Sequence, residues 1–259
     1  MKNLIRLIIS DERIKKLENN QLKLSKEEAH YVNKVMRIKI GEQIHIVNGK
    51  GYLWRGFKNK NNLIEIPNIN KPTIYQDQKK LFLGIAVAIP KNGFDDILKM
   101  CTEIGIDFIQ PLYSEYQIKK ISNQASKMER WNFIINEAVE QCERLWKPEI
   151  LNIANIYEWI ISLSAKDIIS ISLTRDADCI SLKEWLDNQT LNIKESTILW
   201  NVIGPEGGWS NKEICFFKEK NIQFINLSES ILRTSTASII AGSILSEWRS
   251  FDIKSTHPI

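Results

Sequence analysis

Two short stretches in the last third of the chain carry residue types suited to holding a ligand. The first is Gly204-Pro205-Glu206-Gly207-Gly208-Trp209-Ser210, and the second is Ser228-Glu229-Ser230-Ile231-Leu232-Arg233-Thr234. Glycines let a backbone approach a ligand closely. The first stretch is not G-x-x-x-x-G-K-[ST], however, and no G-x-G-x-x-G follows the first strand of the α/β region, so neither a P-loop nor a dinucleotide site fits. Glu206 puts a carboxylate where an anion-binding loop would offer bare N–H groups and positive charge. That suits a ligand without phosphate, such as adenosine hydroxyls or a cationic sulfonium. A plain Pro/Gly turn has the same composition.

Other constellations are weaker. His257 is the one histidine of the α/β region, so a Ser-His-Asp triad does not fit. Cys101, Cys142, Cys179 and Cys215 are far apart and form no C-x-x-C pair, and with three histidines in all no metal is expected. A helical pattern over residues 126–146 presents Arg130, Glu137, Glu140, Gln141 and Arg144. Glu137/Gln141 and Glu140/Arg144 are i,i+4 pairs, which a solvated helix face would also produce.

The elements that position the two stretches can be read from periodicity. Residues 198–203 form an apolar run that breaks into the Gly-Pro turn, as a buried strand does on entering a loop. Ser210 with Glu213 is a capping box, so a helix begins there. Residues 222–227 read as a second strand, and residues 236–248 as a helix. Upstream, strands at 81–89, 106–110, 149–153 and 168–173 alternate with helices at 94–104, 126–146, 157–163 and 181–187. This alternation predicts an α/β fold with a parallel sheet, which binds ligands beyond the C-terminal ends of its strands.

Residues 1–70 follow a different pattern. Ser25 and Glu28 make a second capping box, opening an amphipathic helix through His30, Val32, Val35 and Met36. Strands at 43–47 and 52–58 flank Asn48-Gly49, a strong hairpin signal. A further strand at 63–66 completes a small barrel. Residues 71–78, with Pro72, read as a linker, and residues 79–259 as the α/β domain. Residues 1–60 hold fourteen Lys/Arg against six Asp/Glu, whereas the whole chain is only +4. A basic module on a mildly acidic larger one suggests a polyanion partner, with nucleic acid first. A solvated Lys-rich surface would give the same balance. No apolar run approaches the roughly 20 residues of a membrane helix, and no signal peptide is apparent, so the cytoplasm is expected.

Taken together, several blocks resemble the RsmE family of small-subunit rRNA uridine-N3 methyltransferases, in the SPOUT (α/β-knot) superfamily. They are His30 with Val35-Met36-Arg37, Gly41 through Gly51, Lys99…Glu103-Ile104-Gly105, and Arg130-Trp131…Ala138-Val139-Glu140-Gln141-Cys142…Arg144…Pro148-Glu149-Ile150. Ile203-Gly204-Pro205-Glu206-Gly207-Gly208…Ser210…Glu213, followed by Leu227 to Ala237, is the most specific block. The chain departs from the family pattern at Ser228, Ser230 and Ser235, where Gly, Arg and Glu are usual, and at Tyr116, where Arg is usual.

The resemblance implies a PUA-like RNA-binding β-barrel ahead of a SPOUT α/β domain with a C-terminal deep trefoil knot. It also implies S-adenosylmethionine as methyl donor, 16S rRNA of the small ribosomal subunit as substrate, and a homodimer. Carried over by position, Leu173, Thr174, Ile203, Gly204, Pro205, Glu206, Gly207, Gly208, Leu227, Ile231 and Leu232 would surround the cofactor. Arg233 would hold the uridine or its anion. His30, Arg37, Lys39, Lys50, Arg55, Arg130 and Arg144 would contact RNA. An RNA-binding or ribosome-assembly protein without turnover, and a methyltransferase of another RNA position, are the alternative readings, since fold does not fix substrate.

Overall fold

The structure is a computed structural model and describes residues 5–116, 123–173, 179–189 and 197–255. The chain divides into two compact units, Met1–Gln78 with Asn136–Lys147, and Lys79–Ile135 with Pro148–Ile259.

The first unit is built from strands β1 (Arg6–Ile8), β2 (Gln21–Lys23), β3 (Gln43–Val47), β4 (Tyr52–Lys58), β5 (Leu63–Glu65) and β6 (Ile74–Tyr75). Short helices α1 (Asp11–Lys15) and α2 (Lys26–His30) join them, and α2 runs on into a π-helical turn, Tyr31–Val35. The sheet order is β1-β3-β4-β5-β2, with β6 on β4; β1 runs parallel to β3 and the remaining pairs are antiparallel. Leu7, Leu22, Ile44, Ile46 and Ile64 fill its core. The Asn48-Gly49 turn forms as its sequence predicts: Asn48 Oδ1 accepts from the N–H groups of Lys50 (2.9 Å) and Tyr52 (3.1 Å), and Gly49 and Gly51 take positive φ.

Two features depart from the sequence reading. Residues 71–78 are not a bare linker, because Ile74 and Tyr75 pair with Leu53 and Tyr52 and extend the sheet. Residues 136–147, read as part of the α/β domain, cluster with the first unit instead. There Glu140 Oε1 accepts the Ile8 N–H (2.9 Å) and Glu143 meets Arg6 (3.3 Å). A two-residue strand is too short to show a period, and a helix's periodicity does not say which sheet it serves.

The second unit carries a sheet of order β10-β8-β7-β13-β11-β14-β12, with β9 on β8, parallel throughout. Its elements in chain order are β7 (Leu81–Ala88), α3 (Phe94–Glu103), β8 (Phe108–Tyr113), α4 (Gln124–Cys142), β9 (Glu149–Ile150), β10 (Ala154–Asn155), α5 (Ile156–Ser162) and β11 (Ile168–Ser172). They continue with β12 (Ile180–Ser181), α6 (Leu182–Asp187), β13 (Thr197–Ile203), α7 (Asn211–Glu219), β14 (Gln223–Asn226) and α8 (Thr234–Ser255). β13 is central and apolar, and it pairs with β7 from Thr197↔Leu81 to Ile203↔Val87. Gly84 faces Trp200 in this register because a Cβ there would lie 2.2 Å from the indole. Helix α8 runs past the expected end at residue 248. Arg249, buried on it, pairs with Asp107 and donates to the carbonyls of Leu81 (3.2 Å) and Gly105 (2.9 Å).

Candidate functional site

The strands β13, β11 and β14 lie side by side and end together, at Ile203, Ser172 and Asn226. A cavity of about 280 Å³ opens at that edge. Its wall includes nine of the residues assigned to the cofactor from sequence: Leu173, Ile203, Gly204, Pro205, Glu206, Gly208, Leu227, Ile231 and Leu232. Gly207 is not on the wall; it faces Tyr116, whose Cβ would be 3.4 Å from an added methyl. Thr174 lies outside the described residues. Arg233 is exposed and also off the wall, at the start of α8, where its carbonyl accepts from the Ala237 N–H (2.8 Å).

Local chemistry explains why these loops hold their shape. Ser210 caps α7, and Glu213 returns the favour: its Oε2 accepts the Ser210 N–H at 2.7 Å. The same carboxylate is fully buried, and its Oε1 accepts the Glu115 N–H at 3.0 Å. One buried anion therefore ties the residue 204–210 loop to the loop after β8, with both oxygens hydrogen-bonded as a buried charge requires. Glu115 in turn accepts from the Tyr157 hydroxyl at 2.9 Å. Desolvation first, and then Glu115, push the Tyr157 phenol up to about 12, so it stays a donor. Thr234 Oγ1 donates to the Gly204 carbonyl at 3.0 Å, fixing the start of α8 against the first loop.

Beneath the cavity, Asn201 interrupts the apolar run of β13. Its Nδ2 donates to Ser170 Oγ (2.9 Å), and its Oδ1 accepts from Ser172 Oγ (2.9 Å), a satisfied buried network that locks β11 to β13. Trp209, also missed from sequence, closes one wall; its Nε1 donates to the Ser172 carbonyl at 3.4 Å. A lone Asn in an apolar strand, and a Trp directly after the double glycine, were the available signals. Ser228 and Ser230, where the resemblance expects Gly and Arg, also line the cavity, as do Ile214, Thr234 and Ala237. Glu206 sits at the rim with Oε1 accepting the Lys91 N–H (3.1 Å), so its charge is held in place. The arrangement offers apolar walls, backbone polar groups and one fixed carboxylate. It can take a ligand with an aromatic face, hydroxyls and positive charge.

The cations assigned to RNA are scattered. In the first unit, Arg37 and Lys39 are exposed on either side of the half-buried Ile38, and His30 is exposed at the end of α2. Lys50 is held by Asp11 (3.4 Å). Arg55 is exposed on β4 opposite His45, which is opposite Arg6 on β1, so three basic side chains cross the sheet in one row. Burial first, then the charges of Arg6 and Arg55, hold His45 below its ordinary value. Sequence reasoning missed Arg6 and His45, because a cross-strand row appears only once register is known. Arg144 is half-buried in the first unit. In the second unit Arg130 pairs with Asp95. Among the described residues no group of three or more His, Cys, Asp and Glu could hold a metal ion, and no helix is long and apolar enough to cross a membrane.

Comparison with known proteins agrees with this geometry. Residues 77–246 match the family described as an RNA methyltransferase domain, and residues 24–57 match an RNA methyltransferase PUA domain. A ribosomal RNA small subunit methyltransferase E from Buchnera aphidicola subsp. Schizaphis graminum is 32% identical, covering 86% of this chain and 89% of that protein. Its counterpart in Synechocystis is 29% identical, covering 91% and 75%. Among solved structures, a Legionella pneumophila methyltransferase in complex with SAM aligns with TM-score 0.79 at 25% identity, covering 94% of this chain and 97% of that one. The fold is also that of a ribosomal RNA small subunit methyltransferase E from Neisseria gonorrhoeae, with TM-score 0.74 at 23% identity over 94% and 97% of the two chains. The chain belongs to the RNA methyltransferase family that includes the ribosomal RNA small subunit methyltransferase E proteins.

Proposed function

We infer that this chain is an S-adenosylmethionine-dependent methyltransferase that methylates N3 of a specific uridine in 16S rRNA. The observation that supports the reading is the cavity at the ends of β11, β13 and β14, walled by nine of the eleven residues that the resemblance gives to the methyl donor. Its walls fit that group. Leu173, Ile203, Leu227 and Leu232 offer apolar contact for adenine, the backbone of residues 203–208 offers polar partners, and the fixed charge of Glu206 suits a sulfonium. Gly207 and Thr174 remain backbone partners by sequence pattern. S-adenosylmethionine, when bound, supplies a methyl group made electrophilic by the sulfonium charge.

The chain's own task is to present the uridine edge and to manage its N3 proton. Uridine N3 is a weak acid, so either the proton is removed or the negative charge developing on the base is stabilised. Arg233 directly follows the wall residue Leu232 and is exposed, and we assign it to that charge. His30, Arg37, Lys39, Lys50, Arg55, Arg130 and Arg144 are assigned to RNA, with the first unit as the PUA-like module. The resemblance further supports a deep trefoil knot in the second unit, a homodimer and a place in the cytoplasm, where the ribosome is made.

The test is direct. Purified protein, S-adenosylmethionine carrying a labelled methyl group, and small subunits from a strain lacking the modification should yield labelled N3-methyluridine by nucleoside mass spectrometry. Label in a different nucleoside would overturn the substrate. No binding of the donor by calorimetry would overturn the cofactor and the enzyme reading together.

A further inference from the structure

We propose that residues 34–40 of the first unit form an RNA-docking wedge. In it Val35, Met36 and Ile40 pack on sugar and base faces of small-subunit RNA, while Lys34, Arg37 and Lys39 take the flanking phosphates. The proposal rests on the rRNA substrate inferred above and adds an apolar contact surface to it.

The wedge begins with a helical irregularity. Val32 is fully buried, so an ordinary α-helix would turn Val35 and Met36 toward the same core three and four residues later. The π-helical turn adds a residue at that point: the Met36 N–H donates to the Tyr31 carbonyl at 2.9 Å, five residues back. Val35, Met36 and Ile40 are left 57%, 39% and 60% exposed. Single-turn π segments are frequent at functional sites.

The exposed stretch is nevertheless held firmly. The Ile38 N–H donates to the Val32 carbonyl (3.0 Å), the Lys39 N–H to Glu42 Oε2 (2.7 Å), and the Gly41 N–H to the Lys58 carbonyl (2.8 Å). Lys58 Nζ donates to the Ile38 carbonyl. Arg37 sits in the left-handed region at φ 53°, a conformation that a non-glycine residue keeps only where its surroundings impose it. Exposure of three large aliphatic side chains on a pinned backbone is a built surface rather than a loose loop.

Charge selects the occupant. Lys34, Arg37 and Lys39 are exposed around the aliphatic side chains, and Glu42, the one acidic residue of the 34–42 stretch, accepts the Lys39 N–H. A partner must therefore combine negative charge with apolar faces at close spacing, as an RNA strand does with phosphates, sugars and bases. Ile and Met are among the side chains that nucleic-acid-binding proteins wedge against bases.

Equilibrium binding of the full chain to a 16S rRNA fragment, across a salt series, tests the wedge. Val35→Ser with Ile40→Ser should weaken binding about tenfold at every salt concentration, from loss of apolar contact. Lys34→Gln, Arg37→Gln and Lys39→Gln together should lower the slope of log K against log salt by about two to three, one per phosphate. Thermal melting and S-adenosylmethionine affinity should be unchanged in both variants. If the apolar variant binds RNA as tightly as the original chain, the wedge is wrong. It is equally wrong if that variant alters self-association in sedimentation while RNA affinity holds, which would make the patch a contact between copies. Failure of the unsubstituted chain to bind small-subunit RNA would instead remove the substrate reading itself.

Discussion

Glu140→Gln should make the protein more stable above neutral pH and leave it unchanged in acid. Burial, chiefly, and then the neighbouring charges of Glu137 and Glu28 raise the Glu140 carboxyl from 4.5 to about 7, against the lowering effect of the Ile8 N–H. A folded-state value above the unfolded one means that the native protein binds the extra proton between those limits. The stabilisation is fully present below pH 4.5 and is lost as pH rises through about 7. The ceiling, at about 1.4 kcal/mol per pH unit, is about 3 kcal/mol, and solvent reaching this half-buried side chain reduces it to about 1–2 kcal/mol. Glutamine keeps a carbonyl oxygen for the Ile8 N–H, 2.9 Å away in the native site, but carries no charge to desolvate. At pH 8 the variant should therefore melt higher, by about 2–4 °C per kcal/mol in a chain of this size. Melting both proteins by circular dichroism from pH 4 to 8 measures the difference. Parallel pH profiles, or a variant that melts lower at pH 8, would refute the assignment of burial as the dominant cause.

Three further outcomes follow from the site and its supports. Gly84→Ala sets a methyl 2.2–2.5 Å from three ring atoms of Trp200; it should cost about 3 kcal/mol in urea denaturation, and a loss below about 0.5 kcal/mol would show that the ring can move. Glu213→Gln turns one buried acceptor into a donor facing an N–H, so stability should fall by about 2 kcal/mol. Donor affinity should fall with it, as the 204–210 loop loses its tie, and calorimetry showing unchanged affinity would count against that coupling. Arg233→Ala should slow methyl transfer about a hundredfold while S-adenosylmethionine affinity holds, because Arg233 is off the cavity wall. Equal loss of both would make Arg233 a structural residue.

The loops that wall the cavity were legible in sequence because two local signals coincided there, an apolar run ending in Gly-Pro and the Ser210–Glu213 capping box, and both appear as read. The same chemistry made the small sheet readable through Asn48 and Gly49. Register was not legible. The Arg6–His45–Arg55 row, the Gly84–Trp200 fit and the Asn201 network all depend on which residues face each other across strands, and single-sequence periodicity says only which way a side chain points. Val35 and Met36 illustrate a different failure: their spacing from Val32 read as a buried helical stripe, but one extra residue in the turn carried them outward. Arg249 was missed by one position, since the helix pattern stops at Trp248, where apolar residues give way.

Arg249 also carries a consequence for how the protein is made. Its guanidinium joins Asp107, 142 residues earlier, and the Leu81 carbonyl, 168 residues earlier. Translation delivers those partners long before it delivers the cation. Until then the face of the sheet that α8 packs against at β7 is uncovered. Helix α8, which brings Arg249, also begins with Thr234, whose hydroxyl holds the Gly204 carbonyl. Sealing the sheet and completing the cavity are thus linked to one late helix. Contacts of such long sequence separation form slowly, and nascent chains stalled before residue 249 should remain protease-sensitive and unable to retain the methyl donor. A methyltransferase assembled in this way closes that cavity only after the helix carrying Arg249 has been made.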